Sequence, residues 1–170
     1  MSLQLATQRL ELRQLDAGDA PFMLELLNDP SFIANIGDRG VRNVEDAARY
    51  IQDRMVPSYA RHGYGLYLVN LRATGAPVGI CGLVKRDYLD DPDIGFAFLP
   101  QSRGQGYALE SATAVRVHAF EVVRVSRLLA ITSPHNTRSM QLLEKIGLRF
   151  ERMITPPGEA REIRLYTSDR

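Results

Sequence analysis

The period of the hydrophobic pattern changes along this chain, and the place where it changes limits the folds open to it. Between Gly65 and Leu99 three strand-like segments follow one another: Gly65 to Leu71, Val78 to Arg86 and Asp93 to Leu99. The turn Ala73-Thr74-Gly75-Ala76-Pro77 joins the first two, and the polar stretch Asp87 to Pro92 leads into the third. Consecutive strands exclude a doubly wound βαβ array and predict an α+β chain with a mixed sheet.

The flanks supply helices and further strands. Arg9 to Leu15 alternates polar and apolar residues and predicts a strand. Asp19 is placed to cap a helix that opens on Ala20-Pro21 and stops at Asn28-Asp29-Pro30. Asn43 caps a second helix with Val44, Ala47, Ala48, Ile51 and Met55 as its apolar stripe, ended or bent by Pro57. A long helix is predicted over 107–123, a strand over 127–132, and a helix capped by Asn136 and stopped by Gly147. Short strands near 150–154 and 162–167 complete the order β-α-α-β-β-β-α-β-α-β-β. No repeat or linker interrupts residues 1–170, so a single domain is expected.

Composition narrows the function. Lys+Arg number 21 against 20 Asp+Glu, a net charge of +1, which disfavours a nucleic-acid or membrane-surface protein dependent on surplus cations. One cysteine excludes an internal disulfide and a multi-cysteine zinc site, and no histidine has metal-ligand spacing, so no metal is expected. There is no apolar run of about 18 residues to cross a membrane. The start, Met1-Ser2-Leu3-Gln4-Leu5-Ala6, lacks a signal peptide's basic end. These features predict a cytoplasmic protein.

The segment richest in chemistry is Asp93 to Ala108, DIGFAFLPQSRGQGYA. A strand enters, a proline ends it, and Gly104 and Gly106 open a helix. A helix start presents unpaired N–H groups and partial positive charge, and glycine lets a ligand come close to the backbone. That combination suits a phosphate or pyrophosphate, with Arg103 as an adjacent cation. The alternative is a tight turn that binds nothing. A Walker A loop is excluded because Gly106 is followed by Tyr107-Ala108, and a dinucleotide fingerprint because position 109 is Leu.

Gln101-Ser102-Arg103-Gly104-Gln105-Gly106-Tyr107-Ala108 resembles the acetyl-CoA loop of the GNAT superfamily of N-acetyltransferases. Thr7 to Arg13, Asp93 to Phe96, Ser133 to Ser139 and Leu142 to Leu148 resemble other motifs of that family, in the same order. The branch most similar contains ribosomal-protein N-terminal acetyltransferases. The resemblance implies a mostly antiparallel sheet flanked by helices, and acetyl transfer from acetyl-CoA to a primary amine by direct attack on the thioester. The acceptor would be a protein or peptide N-terminus or a small amine, and the protein a monomer or homodimer. A non-catalytic acyl-CoA-binding module is the alternative.

Residue by residue, the resemblance implies that N–H groups from Arg103 through Gly104, Gln105, Gly106 and Tyr107 to Ala108 cradle the pyrophosphate. Phe98 and Leu99 would pair with the pantetheine arm, and a backbone N–H near Phe98 would face the developing oxyanion. Asn136 would bond the cofactor arm or hold the helix start. The tyrosine that many members use as acid aligns with Leu143. Ser139 is the substitute candidate, with first-turn capping as its structural alternative. Asp93 is the candidate base, or else a strand-end carboxylate that orders a turn. Arg138 and Lys145 lie near the expected cofactor end. Cys81 reads as a core thiol.

Overall fold

The computed structural model describes residues 3–170; Met1 and Ser2 of the leader argument lie outside the described residues. An eight-stranded sheet runs in the order β1-β2-β3-β4-β5-β6-β8-β7. Its strands are β1 (Leu3–Ala6), β2 (Leu10–Gln14), β3 (Leu66–Leu71), β4 (Pro77–Val84), β5 (Asp93–Phe98), β6 (Arg127–Thr132), β7 (Arg149–Ile154) and β8 (Ile163–Asp169). Every neighbouring pair is antiparallel except β5 and β6. Helices α1 (Ala20–Leu27), α2 (Pro30–Asn35), α3 (Val44–Tyr50) and α4 (Val56–His62) precede β3, while α5 (Tyr107–His118) and α6 (Thr137–Lys145) flank β6. Among the described residues no helix is long and apolar enough to cross a membrane.

Strand alternation sorts the core into two layers. Tyr67 and Val69 on β3, with Cys81 and Leu83 on β4, point to the α5–α6 face. Leu68 and Ile80, one residue out of phase, point to Met23, Leu26, Ala47 and Ile51 on the opposite face. The middle hairpin tolerates no extra atoms. A Cβ on Gly82 would lie 2.1 Å from the Gly65 carbonyl oxygen, and one on Gly79 would lie 2.4 Å from the Phe98 ring.

The structure departs from the sequence expectations at the amino-terminal end. Strand β1 was not anticipated; it adds a hairpin to β2 through Ala6↔Glu11. Asp19 does not cap α1 with its side chain. Its carboxylate takes two bonds from Arg13, at 2.9 and 2.8 Å, and accepts the Asp16 N–H at 2.9 Å. Asp29-Pro30 ends one helix and also starts the next: Asp29 accepts the Phe32 N–H at 3.2 Å and Pro30 occupies the first turn of α2. Pro57 bends the helical run that starts at Val44. A wide turn over Ile51–Met55 precedes the proline, which has no N–H to donate, and α4 then carries on to His62.

Candidate active site

The site begins where the sheet parts. β5 and β6 share one register pair, Asp93↔Leu129, reinforced by the Leu129 N–H donating to the Pro92 carbonyl at 3.0 Å. β5 instead stays paired with β4 as far as Gly79↔Phe98. The Leu99 N–H donates to Val78 across that pair at 3.1 Å. Backbone groups alternate sides along a strand, so those of Phe96 and Phe98 turn to the open side. The gap between the diverging strands is a cleft edged by the main chain of Phe96 and the Phe98 N–H, while the Phe98 carbonyl accepts from Arg103 at 2.9 Å.

The loop after β5 is built around its own hydrogen bonds. The Ser102 N–H donates to Leu99 and the Arg103 N–H to Pro100, at 3.0 and 3.2 Å. Gly104 and Gly106 then take φ of +77° and +83°, which favours glycine, and α5 starts at Tyr107. The first carbonyl to accept from the helix is that of Gly106, from the Glu110 N–H at 3.0 Å. Among the described residues, the N–H groups of Gly104, Gln105, Gly106, Tyr107 and Ala108 find no acceptor in the protein. A Cβ on Gly104 would meet nothing within 4 Å, so the loop faces open space there. Outward N–H groups, a helix start and room beside the backbone fit a pyrophosphate.

Two residues stand differently from the sequence expectation. The Arg103 side chain does not project toward the phosphate position. Its Nη2 donates to Asp29 Oδ2 at 2.8 Å and to the Phe98 carbonyl at 2.9 Å, and its Nη1 donates to Ser31 Oγ at 3.2 Å. Asp29 is buried, and a buried carboxyl needs a partner, so it takes the nearest guanidinium. Arg103 is therefore a strut between the loop and α2. Leu99 has its backbone N–H and carbonyl used inside the fold and its side chain buried with the α1–α3 layer, leaving Phe96 and Phe98 to edge the cleft. Arg9 braces the loop from β2's side. It pairs with Glu110 at 2.7 Å, donates to the Gln105 carbonyl at 2.9 Å and lies 4.7 Å from the Tyr107 ring centroid.

Two cavities open from the cleft. One, of about 760 Å³, is lined by Arg103, Gly104, Gly106, Tyr107 and Ala108, and by Arg138 and Lys145 of α6. The other, of about 510 Å³, runs along β5 from Asp93 to Ala97 and is lined also by Tyr50, Arg86, Tyr88, His135 and Leu143, among others. They meet at Phe32, Asn35, Ile36, Phe96, Ala97, Asn136 and Ser139, which line both. Asn136 Oδ1 caps α6 by accepting the Ser139 N–H at 3.2 Å. The Ser139 side chain takes no part in that cap. Of the residues that line both cavities, Phe32 carries no functional signal in the sequence, whereas Asn35 and Ile36 open the polar loop 35–40 that the family resemblance implies covers the acceptor site. The Asp29-Pro30 pair, a cap followed by proline in the first turn, was the signal that marks their helix.

Asp93 stands in the wall of the smaller cavity and is 1% exposed. Arg86 Nε donates to its Oδ2 at 2.9 Å. Burial pushes the Asp93 carboxyl up to about 6, and the Arg86 charge opposes that shift without cancelling it. Leu143, in the position that the family resemblance gives to tyrosine, is buried and apolar. Cys81 is fully buried, its thiol pushed up to about 12 by burial, which suits a packing role. His118 is buried in α5 and its pKa is lowered by that burial, while His62 stacks on Tyr64.

The chain's similarity to known proteins concerns its family and its fold. The model of the acetyltransferase (GNAT) domain matches residues 9–149, and the chain belongs to the GNAT acetyltransferase family. Uncharacterized N-acetyltransferase YnaD of Bacillus subtilis is 26% identical over 149 residues, covering 88% of this chain and 84% of YnaD. The GNAT-family acetyltransferase of Bacillus anthracis superposes with a TM-score of 0.80 at 26% identity, over 99% of this chain and 98% of its own. RimL, a ribosomal alpha-N-protein acetyltransferase solved in complex with Coenzyme A, shares the fold at TM-score 0.84 and 18% identity, over 99% and 98% of the two chains. The protein is thus an acetyl-CoA-dependent acetyltransferase by family, with an α+β sheet of that family's kind.

Proposed function

We propose that the protein moves an acetyl group from acetyl-CoA to a primary amine by direct attack, in a complex that holds both substrates at once. The observation that carries this reading is the meeting of the two cavities at Phe96, Ala97, Asn136 and Ser139. A donor lying along the glycine loop and an amine entering from the opposite cavity converge there without a covalent enzyme intermediate. The free N–H groups from Gly104 to Ala108 hold the pyrophosphate of the donor. Phe96 offers main-chain partners to its pantetheine arm, and the N–H of Phe98, whose carbonyl is held by Arg103, meets the developing oxyanion. Asn136 holds the start of α6 against the reacting centre, and Arg138 and Lys145 stand by the cofactor's far end.

Two protons have to move. The amine attacks as the free base, and Asp93 accepts its proton through a water, since Asp93 lines the acceptor cavity and not the donor one. Ser139 lines both cavities and supplies a proton to the departing thiolate. RimL acts on a ribosomal protein, so a peptide N-terminus is one acceptor class for this chain and a small amine is the other. The test pairs thiol release across a panel of peptides and small amines with calorimetry of CoA binding. Turnover of any amine with tight CoA binding is expected. Tight binding with no turnover assigns the protein instead as an acyl-CoA-binding module, in keeping with Leu143 in place of the tyrosine. Absence of CoA binding overturns both.

A further inference from the structure

The wall of the acceptor cavity divides by chemistry. Its floor is Met23, Leu27, Met55 and Ile80, buried members of the α1–α3 layer, and no carboxylate stands among them. The acids on the wall are Asp93, Glu159 and Glu162. Arg86 holds Asp93, and the two glutamates are exposed on either side of Arg161 in the β7–β8 connection. The apolar floor itself therefore offers a polycation no carboxylate, and the two glutamates, unpaired among the described residues, stand exposed in the connection beside Arg161. Arg39 also lines it, from the loop after α2. The neighbouring acid, Asp38, takes the Arg42 guanidinium, with Nη1 to Oδ1 at 3.0 Å. Among the described residues no carboxylate pairs with Arg39.

An apolar floor beside an uncompensated guanidinium fits an anionic group attached to an apolar body. Resting on the acetyl transfer proposed above, we infer that the acceptor is a small primary amine of the aliphatic or aromatic amino-acid kind. Its apolar side chain lies on Met23, Leu27, Met55 and Ile80. Its carboxylate meets Arg39, and its amine points to the junction at Asn136 and Ser139.

Thiol release from acetyl-CoA tests this with L-leucine, L-phenylalanine, glycine, phenethylamine, spermidine and a phenylalanine-led tripeptide amide. The expected result is kcat/KM for leucine and phenylalanine at least about tenfold above the other acceptors. In Arg39→Gln the preference for phenylalanine over phenethylamine shrinks to within about twofold, because the charge-assisted pair is gone. Circular dichroism confirms that this exposed-site variant is folded. Preference for spermidine or the tripeptide amide, or an unaltered preference in folded Arg39→Gln, overturns the amino-acid assignment and leaves acetyl transfer standing. No turnover of any amine by protein that binds CoA overturns both.

Discussion

Ser139 and Asp93 illustrate how much a side chain's meaning depends on what else claims it. Ser139 keeps its hydroxyl out of the helix cap that its backbone N–H completes. Replacing it with alanine is expected to lower kcat by about 100-fold while CoA affinity stays within about twofold, read by thiol release and calorimetry. Asp93 carries a carboxyl raised to about 6 by burial. A base works when ionised, so its contribution is absent well below pH 6 and grows as pH rises through that value. In Asp93→Asn the rise near pH 6 in the kcat/KM profile should disappear, with activity reduced at neutral pH. An identical profile in the variant removes Asp93 from the proton path. The sequence marked both residues by family position, but it held no sign of Arg86 as partner to Asp93, because that ion pair depends on how β4's end lies against β5.

Among the elements, the glycine loop is the most exacting. A side chain at Gly104 enters the space beside the free N–H groups and also forces an unfavourable φ. Gly104→Glu should abolish detectable CoA binding by calorimetry while the variant still unfolds cooperatively. Retained affinity in that variant means the loop is not the pyrophosphate site. Such loops are legible in sequence because strand end, proline, paired glycines and helix start are contiguous. The helices capped by Asn43 and Asn136 were legible for the same reason: each cap lies next to the turn it serves. Helix α2 was not, because Asn28-Asp29-Pro30 reads equally well as a stop, and a helix of six residues, under two turns, is too short to show a period. Strand β1 escaped for lack of length. The orientation of Arg103 was beyond reach, since Asp29 and Ser31, its partners, lie more than seventy positions away.

At the scale of the whole molecule, two large cores and a smaller one around Leu129 and Leu165 share one sheet, and the sheet must be thin where its strands press closest. Gly82 is that place, with the Gly65 carbonyl where a methyl would go. Gly82→Ala should destabilise the fold by about 3 kcal/mol, measured by urea denaturation, because a backbone neighbour has little freedom to yield. The Arg103 strut crosses the molecule in a different sense. One end stands in the loop beside the donor cavity, and the other grips Asp29 and Ser31 at the start of α2, whose Phe32 and Asn35 line both cavities. Whatever fixes the loop also fixes the wall that the two cavities share. Affinities linked in this way are reciprocal, so each substrate tightens the other by the same factor. The consequence is synergy between the two substrates: calorimetry should show CoA tightening the amine and the amine tightening CoA by one common factor, and Arg103→Ala should bring that factor towards one.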